Sequence, residues 1–227
     1  MSYIEKGTLI ASCQANEGEA LAPYKIMDAM AAACVAGGAG AIRACGAGDI
    51  VSIRRAVTVP VIGIIKREYE GSAVYITPTL REVRELLEEA KPQIVAIDAT
   101  ERPRPNGERL EELVRYVREN SPQTELMADI STLEEAKRAD ALGFDYVGTT
   151  LRGYTEYTRG KAIPDTRLVC KMVKTLRAKV IAEGGIWERD QLIGVAKAGA
   201  WAYVIGTAIT RPREITARFA EALKGIR

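Results

Sequence analysis

Eight short apolar, β-branched runs recur from one end of the chain to the other, with amphipathic helical segments between them. The runs are TLIAS (8–12), GAIRA (40–44), VIGII (61–65), IVAID (94–98), ELMAD (125–129), YVGT (146–149), KVIAE (179–183) and AYVIG (202–206). Their hydrophobicity is continuous rather than alternating, as parallel strands covered on both faces require. No composition break divides the 227 residues, so the pattern reads as one βα unit repeated through a single domain, 1–227. An eightfold repeat of this length predicts a (β/α)8 barrel. A doubly wound open sheet is the alternative, because periodicity does not report closure. Against it, the first βα turn, SCQANEGEA, lacks the GxGxxG fingerprint.

The intervening segments carry helix ends. Thr79 with Glu82 in TLRE, and Ser131 with Glu134 in STLE, fit the capping box. CVAGGAGAI, ADALGFDYV and AKAGAWAYV each place a glycine just past a helix, where a left-handed backbone is needed. RPRPNG (102–107) reads as a stiff loop ending in an Asn106 helix cap, and VRYVREN as a solvated helix face.

Composition narrows the function. Thirty-two basic against thirty acidic side chains leave a net charge of +2, which gives no field for nucleic acid or an anionic membrane. Phosphate recognition would have to be local. No window reaches the roughly 18 to 20 apolar residues of a membrane span, and the N-terminus has no leader pattern, so a cytoplasmic protein is expected. Cys13, Cys34, Cys45 and Cys170 form no CxxC pair and read as free thiols. Histidine is absent, which removes the commonest metal ligand and general base. No metal site is expected, and chemistry must use Lys, Glu, Asp, Arg, Tyr or Cys.

In a barrel the catalytic groups project from the C-terminal strand ends. Those ends supply Gln14, Arg43, Lys66, Asp98, Asp129, Thr149, Thr150, Glu183 and the stretch from Gly206. Lys66, behind the apolar VIGII, would be partly desolvated, which lowers the pKa of an amine and suits a general base or a Schiff-base nucleophile. Glu183 in KVIAEGG is either its acid/base partner or the carboxylate that holds it by an ion pair. Gly184 and Gly185 after the seventh run, with Gly206 and Thr207 after the eighth, let a phosphate approach the backbone closely. Arg211 follows one helical turn later and would add charge-assisted contacts. Residues 151–163 exceed an ordinary βα loop, and their Tyr154 and Tyr157 suit either a lid or a surface excursion.

ASCQA, AIRA, PVIGIIKREY, AIDATERPRP, MADISTLEEA, GFDYVGTTLRGYT, VIAEGGI and VIGTAITRPREIT, in this order, resemble the N-acetylmannosamine-6-phosphate 2-epimerase family over essentially the whole chain. The resemblance implies a phosphate-binding TIM barrel that interconverts N-acetylmannosamine 6-phosphate and N-acetylglucosamine 6-phosphate in sialic-acid catabolism, without a redox cofactor or metal. It implies Lys66 as base and Glu183 as its acid/base partner, with Gln14, Arg43, Asp129 and Arg211 lining the phosphosugar site. It also implies a homodimer, with which the apolar residues of EITARFAEALKGI are compatible. A Schiff-base aldolase or lyase, and a non-catalytic phosphosugar-binding barrel, are the competing readings of the same residues.

Overall fold

Parallel strands cannot be joined by tight hairpins, so each needs a crossover, and the repeat supplies a helix for every one. The computed structural model describes residues 2–15 and 18–224. Its elements run β1 (Leu9–Cys13), α1 (Met27–Ala36), β2 (Ala41–Cys45), α2 (Ala47–Ala56), β3 (Val61–Ile64), α3 (Leu80–Glu85), β4 (Ile94–Asp98) and α4 (Leu110–Asn120). They continue with β5 (Glu125–Asp129), α5 (Leu133–Ala141), β6 (Tyr146–Gly148), α6 (Thr166–Thr175), β7 (Lys179–Glu183), α7 (Arg189–Lys197), β8 (Ala202–Ile205), α8 (Thr207–Thr210) and α9 (Pro212–Lys224). The strands pair in sequence order and in parallel, and β8 closes on β1, with Ile10 opposite both Ala41 and Val204. The repeat therefore makes a closed barrel and not an open sheet. Within the stretches read from sequence, Asn16 and Glu17 of the first βα turn and Gly225 and Ile226 of the last helical run lie outside the described residues.

Alternation along each strand divides the apolar residues between two cores. Ile42, Val95, Leu126 and Val180 face the helices, packed with Ile53, Leu113 and Val169. Ile10, Ile62, Ile64, Ile94, Met127, Tyr146, Ile181 and Val204 fill the lumen. The same count turns Arg43, between Ile42 and Ala44, into the lumen. It does so too for Asp129 and Glu183, two residues beyond Met127 and Ile181.

Several local expectations need correction. The Thr79–Glu82 box is present, with the Thr79 N–H donating to Glu82 Oε2 at 2.9 Å. In α5 the box falls one residue later than Ser131–Glu134, on Thr132 and Glu135. Glu135 is 1% exposed and is satisfied by the N–H and hydroxyl of Ser131 as well as the N–H of Thr132, so the inward glutamate takes the role. Asn106 is not a helix cap: it sits at φ 59° in a 3-10 turn, and α4 begins after Arg109, whose N–H donates to Glu112. VRYVREN is not wholly a solvated face, because Val114 and Val117 are buried against the barrel. The glycine exits hold, with Gly38, Gly143 and Gly199 at φ 103°, 83° and 97°.

Candidate active site

A cavity of about 340 Å³ opens at the C-terminal ends of the strands. Gln14, Arg43, Lys66, Glu183, Gly184, Gly185, Gly206, Thr207 and Arg211 all line it. Asp129 does not: it is fully buried beneath the cavity floor. Asp98, the equivalent aspartate of β4, is taken up locally by Arg102 at 2.6 Å and by Thr100. Of the two threonines after β6, Thr150 lines the cavity, while the Thr149 hydroxyl bonds the Glu183 backbone.

Arg43 is 1% exposed and spans the lumen from β2 to β5. Its guanidinium grips Asp129 with two bonds, of 3.1 and 2.6 Å, the bidentate geometry that suits a carboxylate. Nη1 also stands 3.5 Å from Glu183 Oε2. Burial alone would lower the Arg43 pKa, but the Asp129 and Glu183 charges outweigh it and the pKa is raised. Its Nε and the Oε1 of Gln14 are the buried side-chain polar atoms without a hydrogen-bond partner among the described residues. Glu183 is 13% exposed, and burial raises its carboxyl above the usual range, opposed by Arg43. Thr150 Oγ1 lies 2.6 Å from Asp129 Oδ1 and 3.0 Å from Glu183 Oε2.

Lys66 follows β3 as the first arm of a short hairpin, paired antiparallel with Ile76. Thr77 fixes that arm: its N–H donates to the Ile65 carbonyl at 2.7 Å, and the Ile65 N–H donates to its hydroxyl at 3.3 Å. Thr77 sits at φ 44°, an unfavourable conformation for a β-branched residue, which these bonds help to hold. Burial lowers the Lys66 pKa; Cys45 opposes this, and Arg43 and Arg211 add to it. Cys45, which also receives the Lys66 backbone N–H, reads from the sequence only as a free thiol and not as a site residue.

The glycine loops have a packing reason as well as a chemical one. A Cβ on Gly185 would meet the Ile163 backbone at 2.6 Å, and one on Gly206 would meet Ser12 Cβ at 3.2 Å. Gly184 and Gly185 also sit at φ 98° and 70°. Arg211 pairs with Glu19 at 3.0 Å. Of residues 151–163, Tyr154 and Ile163 face the cavity, whereas the Tyr157 hydroxyl donates to Glu135. Arg152 pairs with Asp165 at 2.7 Å and ties the segment's ends together.

Ser12, Tyr75 and Trp187 line the cavity and were missed in the sequence. Strand parity would have found Ser12, two residues before Gln14. Tyr75 comes from the hairpin, which apolar periodicity does not reveal. Among the described residues, no group of three or more Cys, Asp or Glu is placed to hold a metal ion.

A family model described as "Putative N-acetylmannosamine-6-phosphate epimerase" matches residues 27–225. A relative from Enterobacter sp. (strain 638), named "Putative N-acetylmannosamine-6-phosphate 2-epimerase", is 50% identical over 221 residues, 96% of this chain and 94% of its own. One of the same name from Staphylococcus haemolyticus (strain JCSC1435) is 50% identical over 218 residues, 95% and 97% of the two chains. The solved N-acetylmannosamine-6-phosphate 2-epimerase from Clostridium perfringens superposes with a TM-score of 0.92 at 47% identity, covering 97% of this chain and 95% of that one. A thiamine phosphate pyrophosphorylase from Pyrococcus furiosus, 18% identical with a TM-score of 0.60, covers 96% of this chain and 94% of its own and shares the fold alone. On the full-length match in sequence and in barrel geometry, this chain belongs to the N-acetylmannosamine-6-phosphate epimerase family.

Proposed function

We propose that the chain, as a single barrel domain over 1–227, interconverts N-acetylmannosamine 6-phosphate and N-acetylglucosamine 6-phosphate by proton transfer at C2. Lys66 is the general base and Glu183 its acid/base partner. One observation carries this reading: an amine and a carboxyl, both displaced by burial toward their neutral forms, line the same cavity. A neutral amine is a base and a neutral carboxyl an acid, so together they supply both halves of an epimerisation. The cavity volume, about 340 Å³, lies within the range of small-molecule sites, roughly 300 to 1,000 Å³.

Opening the sugar ring exposes the C1 aldehyde and acidifies the C2 proton. Lys66 takes that proton, and the C–H electron pair moves into an enolate whose charge rests on the C1 oxygen, with the acetamido nitrogen still on C2. The unpartnered Nε–H of Arg43 is a donor available to that oxygen. Glu183 then returns a proton to the opposite face of C2. In the reverse direction the two groups exchange roles. Proton transfer alone completes the step, so the reading needs no cofactor.

The unpartnered Gln14 Oε1 suits a hydroxyl or amide N–H of the substrate. The phosphate is assigned to the backbone of Gly184, Gly185, Gly206 and Thr207 together with Arg211, for which it would compete with Glu19. Asp129 acts through Arg43 and Thr150 and does not touch substrate. We further propose a cytoplasmic homodimer. All four cysteines are free, and α9 has no buried residue, with Phe219 and Leu223 70% and 64% exposed. No helix among the described residues is long and apolar enough to cross a membrane.

The deciding experiment follows N-acetylmannosamine 6-phosphate by NMR in D₂O with the purified protein and its Lys66→Ala and Glu183→Ala variants. The expected result is epimer carrying deuterium at C2, lost in Lys66→Ala. Folded protein that produces neither exchange nor epimer would sink the reading. A borohydride-trapped adduct at Lys66 would replace the base with a Schiff-base nucleophile.

A further inference from the structure

We infer that Thr150 keeps the resting proton of the site on Glu183: its hydroxyl donates to Asp129 and accepts from a neutral Glu183 carboxyl. The Thr150 oxygen lies between two carboxyl groups, 2.6 Å from Asp129 Oδ1 and 3.0 Å from Glu183 Oε2. A hydroxyl carries one proton and can donate to only one of them. With both groups ionised, one of the two contacts would join two acceptors with no hydrogen between them. The 2.6 Å contact has the length of an O–H···O⁻ bond, about 2.5 to 2.7 Å, and takes the threonine proton. The other contact is then a hydrogen bond only if Glu183 supplies the proton.

Arg43 divides the two carboxyls in the same way. Its fork is committed to Asp129, while its nearest approach to Glu183 is 3.5 Å, beyond the roughly 2.7 to 3.2 Å of an N–H···O bond. The negative charge that Arg43 balances through hydrogen bonds is therefore on Asp129. The charged and titratable groups acting on Glu183 are Arg43 from β2, Lys66 from the hairpin after β3 and Asp129 from β5. Arg211, Cys45 and Tyr75 lie farther around the mouth. Gly148 keeps the array compact, since a Cβ there would stand 3.1 Å from Thr150 Oγ1 and 3.7 Å from Asp129 Oδ1.

The inference rests on the epimerase reading for its use. A protonated Glu183 in the same cavity as Lys66 gives the free enzyme an acid for one face of C2 when the amine takes a proton from the other. The amine lone pair accepts the C2 proton, and the Glu183 O–H electrons remain on the carboxylate as its proton leaves. Thr150 is thus a positioning residue, acting through Glu183.

The test titrates the ligand-free full chain labelled with ¹³C at the glutamate side-chain carboxyls, with Glu183 assigned by its loss in Glu183→Gln. Removal of the hydroxyl in Thr150→Val withdraws the acceptor of the Glu183 proton. The expected result is a downward shift of the Glu183 pKa by about half a unit to one unit, restored by Thr150→Ser. The limb of the kcat/KM pH profile that belongs to Glu183 should move the same way. An upward shift would mean that the hydroxyl donates to a Glu183 carboxylate, and it overturns the inference, as does no shift. A second arm avoids the threonine variants: an infrared difference between wild type and Glu183→Gln at neutral pH should contain the C=O stretch of a protonated carboxyl, and its absence overturns the proposal. Because the carboxyl titration and the infrared difference are both run without substrate, their failure is distinguishable from failure of the epimerase reading, which the C2 exchange assay decides alone.

Discussion

At the N-terminal end of the lumen, Glu125, Tyr146 and Lys179 lie beneath Ser2, Tyr3 and Ile4; at the C-terminal end, Arg43, Asp129 and Glu183 lie under an open cavity. Both ends therefore bring polar groups into an apolar tube, and they treat them differently. In the lower end the Tyr146 hydroxyl donates to Glu125 at 2.6 Å and receives the Ile4 N–H at 3.1 Å, with Ser2 at 2.6 Å. The Tyr3 N–H donates to the same Glu125 oxygen at 3.0 Å, and Trp201 Nε1 donates to the Ile4 carbonyl at 2.9 Å. The Lys179 ammonium lies 5.0 Å from the Trp201 ring centre, where the negative face of the ring attracts it. The upper end keeps an unpartnered donor on Arg43 and an unpartnered acceptor on Gln14. Buried polarity alone does not mark a site in this barrel; bonding capacity left over beside a cavity does.

This contrast predicts that substitutions above change turnover and those below change stability. The largest effect is expected from Lys66→Ala, a loss of about 10² to 10⁴ in kcat/KM for C2 epimerisation, the usual weight of a positioned acid or base. Its Tm should not fall, because an ammonium that partial desolvation disfavours is removed. A drop in Tm with turnover retained would break the contrast at its most important residue.

Arg43 is where the upper end also carries structure. Arg43→Met leaves the Asp129 carboxylate buried without its fork and should cost about 3 to 5 kcal/mol, read as a lower denaturation midpoint in urea. Adding Asp129→Leu should return much of that stability while turnover stays lost, since an apolar pair of similar volume replaces a buried ion pair at little cost. Recovery of both together would show that the pair is purely structural.

Tyr146→Phe tests the lower end. It removes the hydroxyl that joins Glu125, Ile4 and Ser2 and should cost about 1 to 3 kcal/mol, or a Tm drop of about 2 to 4 °C per kcal/mol in a chain of this size. The kcat and KM of the variant should match wild type. A changed kcat would mean that the two ends communicate through the lumen.

The strands were legible because a continuous apolar run has few other uses in a soluble chain, and each run agrees with its strand to within a residue or so. Lys66 and Glu183 were legible as charges at the ends of such runs, Lys66 just past VIGII and Glu183 closing KVIAE. Which aspartate belongs to the site was not. Asp98 and Asp129 both close five-residue apolar strands on the lumen side. Asp98 is claimed by an arginine four residues later, Asp129 by one 86 residues earlier in the chain. Only the closed barrel brings that second pair together. The same holds for Gly185, whose close approach to Ile163 depends on two neighbouring loops, and for Cys45, brought beside Lys66 by the β2–β3 register. Local chemistry could be read along the chain; partner choice across the lumen could not.

The smallest effects are those of pH on stability, and their signs separate the two ends. Burial raises Glu183 above its ordinary value of 4.5, so the folded state holds that proton more tightly than the unfolded chain does. Stability from this group is then full below the unfolded pKa and falls as pH rises through the folded one. Glu183→Gln cannot titrate, so its stability should equal or approach wild type in acid and exceed it increasingly as pH rises above the unfolded value, by about 1.4 kcal/mol for each pH unit until the folded pKa is passed. Lys66 is displaced downward from 10.5, so the stability it costs is present at low pH and is recovered as pH rises toward that value. The Tm gain of Lys66→Ala should therefore shrink as pH rises, opposite to that of Glu183→Gln. Tyr146 is displaced upward from 10.0, chiefly by burial, so its titration adds nothing to stability differences below that pH. The Tm loss of Tyr146→Phe should be nearly flat between pH 6 and 9. Two sloping differences of opposite sign above and one flat difference below would establish that the upper end holds a strained acid and base, while the lower end is a closed, satisfied plug.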